Sequence, residues 1–363
     1  MQKTYLNTAV KTPLPYSLNS LKVQNFQGII DLEVSDLPCD AQWIFLVGEN
    51  GFGKTSVLRA IANTSFLDSF HSIYEYQSPD PNDFLDERWS ILENLPILGY
   101  GISRFNLSHN LPSSNDATAS LFKDDAILEN IEQEMKEWHN DPTDNRCYTI
   151  RKLLCDLLPN IADISIRENT MKKKEVFYFE RAVDGIYEKP LTLTKLATGY
   201  KNIIMMIGDM LIRLRRWQHE SVNLDNYQDY EGVILIDEFD AHLHPKYQYE
   251  LPKLLSSVFP KVQFIVSTHS PIPLLGAPKN NTIVMNVNRT IEKGITMERS
   301  TVDFTALNAN AILTSPIFGF DETHFNADKD ADSIAPFDDY SEVETQNRIA
   351  QNIQKLRELN VIK

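Results

Sequence analysis

Gly48-Glu-Asn-Gly-Phe-Gly-Lys-Thr55 fits the pattern Gly-x-x-x-x-Gly-Lys-[Ser/Thr], and its flanks decide how it is read. Upstream, Trp43-Ile-Phe-Leu-Val47 is a short apolar run that reads as a buried strand. Downstream, Ser56-Val-Leu-Arg-Ala-Ile-Ala62 has helical spacing and good helix formers. A strand, a glycine-rich turn and a helix start gather backbone N–H groups and a positive dipole end around a polyphosphate. Lys54 then reaches the β/γ-phosphates and the Thr55 hydroxyl ligates Mg²⁺, with Asn50, Gly51, Gly53 and Ser56 completing the nucleotide cradle.

A second stretch, Gly232-Val-Ile-Leu-Ile-Asp-Glu-Phe-Asp240, is an apolar strand that ends in adjacent carboxylates. Continuous hydrophobicity marks a strand of a parallel sheet covered on both faces. The acids emerge at its carboxyl end, where α/β sheets bind ligands. Asp237 suits the metal side of the site, holding a water or Thr55. Glu238 suits the general base that polarises an attacking water.

From Lys54 to Asp237 is 237 − 54 = 183 residues, so a long insertion separates the two motifs. Within it stands Leu196-Ala-Thr-Gly-Tyr-Lys-Asn202, followed by an apolar-periodic stretch from Ile203 to Leu214. Beyond Asp237, Val262-Gln-Phe-Ile-Val-Ser-Thr-His269 is another buried strand, ending in a histidine. This order resembles the compact ABC-type P-loop ATPases of the SMC, RecF and OLD superfamily, whose motifs run phosphate loop, signature, acidic strand, His switch. The resemblance implies that His269 senses the γ-phosphate and that Thr198 and Gly199 cap the nucleotide of a partner subunit. Thr198 is a residue type that N-caps helices, so the signature helix is expected to start there with its end toward a partner's γ-phosphate. The family signature usually reads Leu-Ser-Gly-Gly-Gln or Leu-Ser-Ser-Gly-Glu, and this chain keeps only the Leu and the second Gly. Leu21-Lys-Val-Gln-Asn-Phe-Gln-Gly28 resembles the opening strand of the RecF and OLD groups, and Asp237–Pro245 resembles their acidic motif. Gly99-Tyr-Gly-Ile-Ser-Arg104 resembles the strand that replaces the glutamine-bearing loop, which makes Arg104 a candidate phosphate or interface contact. This grouping is rich in prokaryotic antiphage systems such as Septu, PARIS and some retrons.

The segment between the motifs holds a polar loop near 106–118, a helix near 119–138 and a second near 147–158. Two alternating strands, Ile161–Arg167 and Glu175–Glu180, surround Met171-Lys-Lys-Lys174 and read as a hairpin. The lysine run reads as a solvated turn rather than a nucleic-acid contact. No sustained heptad pattern supplies coiled-coil arms. The tail after 290 is short for another core-bearing domain such as the OLD nuclease. His242 and His244 flank a leucine beside the acidic strand, and read as loop-shaping residues with Pro245 opening a helix. Pro252 inside that helix predicts a kink or an early stop.

The 363 residues are 42% hydrophobic and 23% charged, enough for a large core. No run of eighteen apolar residues exists, so no membrane span is expected. Three cysteines without metal spacing read as reduced thiols of a cytoplasmic protein. The net charge of −15 argues against a nonspecific DNA-binding surface. Nine acids and one lysine between Asp321 and Glu344 supply −8 of it, so the other 339 residues carry −7. After them, Ile349, Ile353, Leu356 and Val361 line an amphipathic C-terminal helix.

The expected fold is therefore an α/β P-loop NTPase of the ABC-ATPase-head type, with an antiparallel β subdomain and an inserted helical and β-hairpin subdomain. The expected divisions are a first ATPase lobe at 1–110, the insertion at 111–190, a second lobe at 191–300 and the acidic tail with its helix at 301–363. The expected activity is slow hydrolysis of Mg–ATP across a head-to-tail dimer. The expected role is regulation of a separately encoded effector, a nuclease or other enzyme, in antiphage defence. The alternatives are a RecF-like DNA-repair ATPase, which needs DNA contact, and an ATP-bound scaffold with little turnover.

Overall fold

The computed structural model describes residues 12–63, 70–72, 96–102, 107, 116–169, 172–182, 184–186, 189–218, 222–223 and 226–300. The chain divides into two units, Met1–Ala306 and Leu307–Lys363, and the described residues all belong to the first. The acidic segment and the C-terminal helix expected beyond 300 lie outside them, as do Arg104 and most of the polar loop at 106–118.

Strands β1 (Tyr16–Leu18), β2 (Leu21–Phe26), β3 (Ile29–Val34) and β4 (Trp43–Val47) lead into helix α1 (Lys54–Ala62). Then come β5 (Phe70–Ser72), β6 (Ile97–Tyr100), α2 (Ile131–Trp138), α3 (Arg146–Leu157), β7 (Ile161–Glu168), β8 (Lys174–Ala182) and β9 (Gly185–Ile186). Helix α4 (Thr198–Arg216), β10 (Glu231–Ile236), α5 (Pro245–Val258), β11 (Lys261–Ser267), α6 (Ile272–Gly276), β12 (Thr282–Thr290) and β13 (Gly294–Arg299) follow.

Eight strands form one sheet in the order β2-β3-β13-β12-β4-β11-β10-β6. From β12 to β6 neighbouring strands are parallel, while β12–β13, β13–β3 and β3–β2 are antiparallel. Burial follows that division. Every residue of β4 and β10 is buried, whereas β2 and β3 mix buried with exposed positions as a sheet with one wet face does. Ile44 and Leu46 face a core shared with Val57, Leu58 and Ile61 of α1. Trp43 and Phe45 take the other face, where the Trp43 ring stacks on Phe264 at 4.6 Å and meets Phe239 edge-on at 5.7 Å. Each such fully buried side chain stabilises the fold by about 1.5–3 kcal/mol. This is an α/β P-loop fold with an antiparallel flank, and its parallel strands end on the side where the sequence places its motifs.

The insertion departs from expectation at one helix. Residues 119–121 form only a 3₁₀ turn, and helix α2 begins afresh at Ile131. The Asn130 side chain caps it, accepting from Glu132 N at 3.1 Å and Gln133 N at 3.4 Å, and so fixes the later start. Helix α3 buries Leu153, Leu154 and Leu157, and β7–β8 form the hairpin, whose turn leaves Lys172 and Lys173 exposed.

Pro252 does not stop its helix, because α5 runs on to Val258. The proline is buried, and Ser256 Oγ ties this stretch to the sheet by donating to Pro252 O and accepting from Trp43 Nε1, both at 2.8 Å.

Candidate nucleotide site

From Val47 the chain turns through Gly48–Gly53 into α1, with φ of 145° at Gly48, 80° at Gly51 and 97° at Gly53. Side chains rarely enter that region. A Cβ at Gly53 would also meet Ile295 Cδ1 at 2.3 Å, whereas one at Gly51 would meet nothing within 4 Å. The turn is thus packed behind and open at Gly51. Helix α1 starts with no side-chain cap and no acid in its first turn. Its leading amides and positive dipole end suit an anion.

Lys54 is 5% exposed, and Nζ donates to Gly48 O at 2.6 Å and Glu49 O at 3.0 Å. Burial pushes its pKa down to about 8, against the upward pull of Asp237, Glu238 and Asp240. A largely desolvated ammonium resting on carbonyls gains charge-assisted partners when phosphate oxygens arrive.

Three elements meet at the metal side. Thr55 Oγ1 donates to Asp237 Oδ2 at 2.7 Å, and Ser267 Oγ donates to Asp237 Oδ1 at 2.6 Å. Ser267 Oγ also accepts from Glu238 N at 2.8 Å. One serine hydroxyl thus fixes both acids, and it was missed in the sequence because it reads as an ordinary strand-end residue. Mg²⁺ is usually bound through one or two protein oxygens plus substrate phosphates and waters, and Thr55 with Asp237 fits that set. The open side of Gly51 and the uncapped helix start fit the triphosphate.

Glu238 stands beside the buried Asp237 with φ of 47°, a left-handed conformation uncommon for a residue with a side chain. Such outliers persist where surrounding structure over-determines them, and they cluster at functional sites. His269 Nδ1 is 3.4 Å from Lys54 Nζ. Burial, then the Lys54 charge, pulls the His269 pKa below its ordinary value, so the ring is neutral at neutral pH. Asp240 Oδ1 accepts from His269 N at 3.1 Å and Thr268 Oγ1 at 2.6 Å. The sequence gave no role to Asp240, although the chain folds this carboxylate onto the strand end that carries His269.

Thr198 does not cap the signature helix. Ala197 occupies the cap position with ψ of 144°, its carbonyl takes the Lys201 N–H at 3.1 Å, and Thr198 is already helical. Gly199 sits close against the acidic loop of its own chain, where a Cβ would lie 2.8 Å from His242 O. His244 Nδ1 accepts from Lys246 N at 3.3 Å and caps α5, with Pro245 in its first turn.

Arg213-Leu-Arg-Arg216, a basic run at the end of α4, is largely neutralised. Arg213 is 4% exposed and Nε donates to Asp209 Oδ1 at 2.8 Å, while Arg216 pairs with Glu129. A separate cleft of about 850 Å³ lies between the inserted helices and the distal half of α4, lined by Trp138, Arg146, Arg215, Tyr227 and Tyr230 among others. Its Arg146 is held by both oxygens of Asp144, and nothing in it resembles the phosphate cradle.

Known proteins carry sequence similar to the part of the chain that builds this site. A family model described as an AAA ATPase domain matches residues 110–272, which take in Gly199, Asp237, Glu238 and His269. The chain is similar to Septu protein PtuA of Bacillus mycoides (strain KBAB4), at 28% identity over 84% of this chain and 45% of that protein. It is also similar to Septu protein PtuA of Bacillus thuringiensis, at 23% identity over 93% of each chain. A shorter stretch is 35% identical to the Retron Vc95 probable ATPase of Vibrio cholerae serotype O1 biovar El Tor, over 26% of this chain and 18% of that one. The chain therefore spans less than half of the first relative and nearly all of the second. Among solved structures, an SMC head bound to the C-terminal winged-helix domain of ScpA aligns at a TM-score of 0.45, with 14% identity over 79% of this chain and 98% of that one. No described helix is long and apolar enough to cross a membrane.

Proposed function

We propose that the protein hydrolyses Mg–ATP between two copies arranged head-to-tail, and that the cycle controls a separately encoded effector, such as a nuclease, in antiphage defence. The observation that carries the reading is the meeting of Lys54, Thr55, Asp237, Glu238 and His269 at the ends of three adjacent parallel strands. On arrival of ATP, Lys54 would leave the Gly48 and Glu49 carbonyls for the phosphates; Thr55 and Asp237 would hold Mg²⁺, which would supply charge neutralisation there. Glu238 accepts a proton from water as the water oxygen bonds to the γ-phosphorus and the bond to the ADP oxygen breaks. His269 donates to the γ-phosphoryl oxygens. Positioning and electrostatics supply most of the catalysis in this chemistry. Gly199 and the N-terminus of α4 would complete the nucleotide site of the other copy. The defence role rests on similarity to the Septu and retron proteins.

A second reading, an ATP-bound scaffold with little turnover, is favoured by the altered signature and by the missing Thr198 cap. Single-turnover hydrolysis decides between them. The wild type should convert bound ATP to ADP, and Glu238→Gln should bind ATP with unchanged affinity and convert it at least about a hundredfold more slowly. Equal, negligible conversion by both would support the scaffold.

A further inference from the structure

The geometry points to Gln248 as a positioning residue that locks the loop carrying Glu238 to the loop carrying His269, so that base and γ-phosphate sensor are set as one unit. This rests on the ATPase reading for its consequence, but not for its geometry. Gln248 lies in the first turn of α5 and touches both loops at once. Nε2 donates to Asp240 O at 3.2 Å and Leu243 O at 3.0 Å, on the acidic loop. Oε1 accepts from Ser270 Oγ at 2.8 Å, on the switch loop. Both N–H groups and the carbonyl are therefore used. The amide orientation is forced, because a flip would turn Oε1 toward two carbonyl oxygens.

The loops need such a tie. The acidic loop holds two side-chain-bearing residues in left-handed conformations, Glu238 at φ 47° and His242 at φ 63°. Each is strained and survives only under external constraint. On the inner side, Ser267 and Asp240 join the loops next to the acids and His269. Gln248 closes the outer side, beyond the turn. The loop it holds is also the one whose His242 carbonyl faces Gly199.

The test compares wild type with Gln248→Ala and Gln248→Glu. The Glu variant keeps the size and the acceptor but places oxygen against the two carbonyls, so it should do no better than Ala. Expected for both are ADP affinity within about twofold of wild type and kcat lower by about 10- to 100-fold, the scale set by small misplacements of reacting groups. Ser270→Ala, which removes only the switch-loop contact, should give a smaller loss in the same direction. Hydrogen exchange of nucleotide-free protein reads the tie without reference to ATP hydrolysis. In Gln248→Glu the amides of both 238–243 and 267–270 should exchange faster, by about tenfold or more. Unchanged kcat, or ADP affinity falling in parallel with kcat, would overturn the assignment, as would faster exchange in one loop alone. A wild type that hydrolyses no ATP contradicts the ATPase reading instead, and the exchange result then decides Gln248 by itself.

Discussion

Lys54 holds a proton that its burial makes costly, and this gives nucleotide binding a pH signature. Its pKa of about 8 in the nucleotide-free protein lies below the ordinary 10.5, with burial the largest cause. Phosphate oxygens favour the ammonium and raise that value, so ATP binding takes up a proton when the pH exceeds about 8. Affinity is then fully expressed below pH 8, falls as the pH rises from about 8 toward the bound-state pKa, and levels off above it. Calorimetric titration in buffers of differing ionisation enthalpy should show about zero uptake at pH 6.5 and most of one proton near pH 9. Equal uptake at both would contradict the assignment. The residues of the candidate phosphate loop and acidic strand were legible in the sequence because phosphate chemistry demands fixed residue types at fixed spacing. Ser267, Asp240 and Gln248 were not, since each acts through hydrogen bonds to residues distant in the chain. Thr198 misled because a threonine after an extended stretch satisfies the composition of a cap. The chain instead enters the helix one residue earlier.

Helix α4 is anchored along its length, and each anchor has its own consequence. Asp209, fully buried, accepts from Tyr100 Oη at 2.7 Å, Glu129 N at 2.7 Å and Arg213 Nε at 2.8 Å. It thus joins α4 to β6 and to the insertion. Asp209→Ala removes the carboxylate from beside the buried Arg213 guanidinium and should cost about 3–5 kcal/mol in chemical unfolding. Asp209→Leu combined with Arg213→Leu should lose less than Asp209→Ala alone, and a larger loss in the double variant would contradict this account. At the opposite end, Gly199→Ala drives a methyl onto the His242 carbonyl and should cost about 1–3 kcal/mol by overpacking, measured the same way. At this scale the apolar runs were reliable guides, because a strand buried on both faces has little freedom in composition. The long helix expected at 119–138 failed because one side-chain cap at Asn130 outweighed a weak periodicity.

At the scale of the whole molecule, the parallel half of the sheet gathers the phosphate loop, the acids and the histidine of one chain at the edge proposed to be catalytic. What one chain's nucleotide lacks, on the proposed reading, is the signature of a second copy. The net charge of −15 and the internal pairing of Arg213 and Arg216 weigh against duplex DNA as that missing surface. DNA should therefore leave the ATPase rate unchanged, and duplex-dependent stimulation would favour a repair role. The solution mass of Glu238→Gln with and without Mg–ATP tests the shared site most directly, since this variant binds nucleotide but lacks the base. The account predicts a doubling of mass that depends on ATP and is lost in Lys54→Ala. A mass indifferent to ATP would contradict closure across two chains.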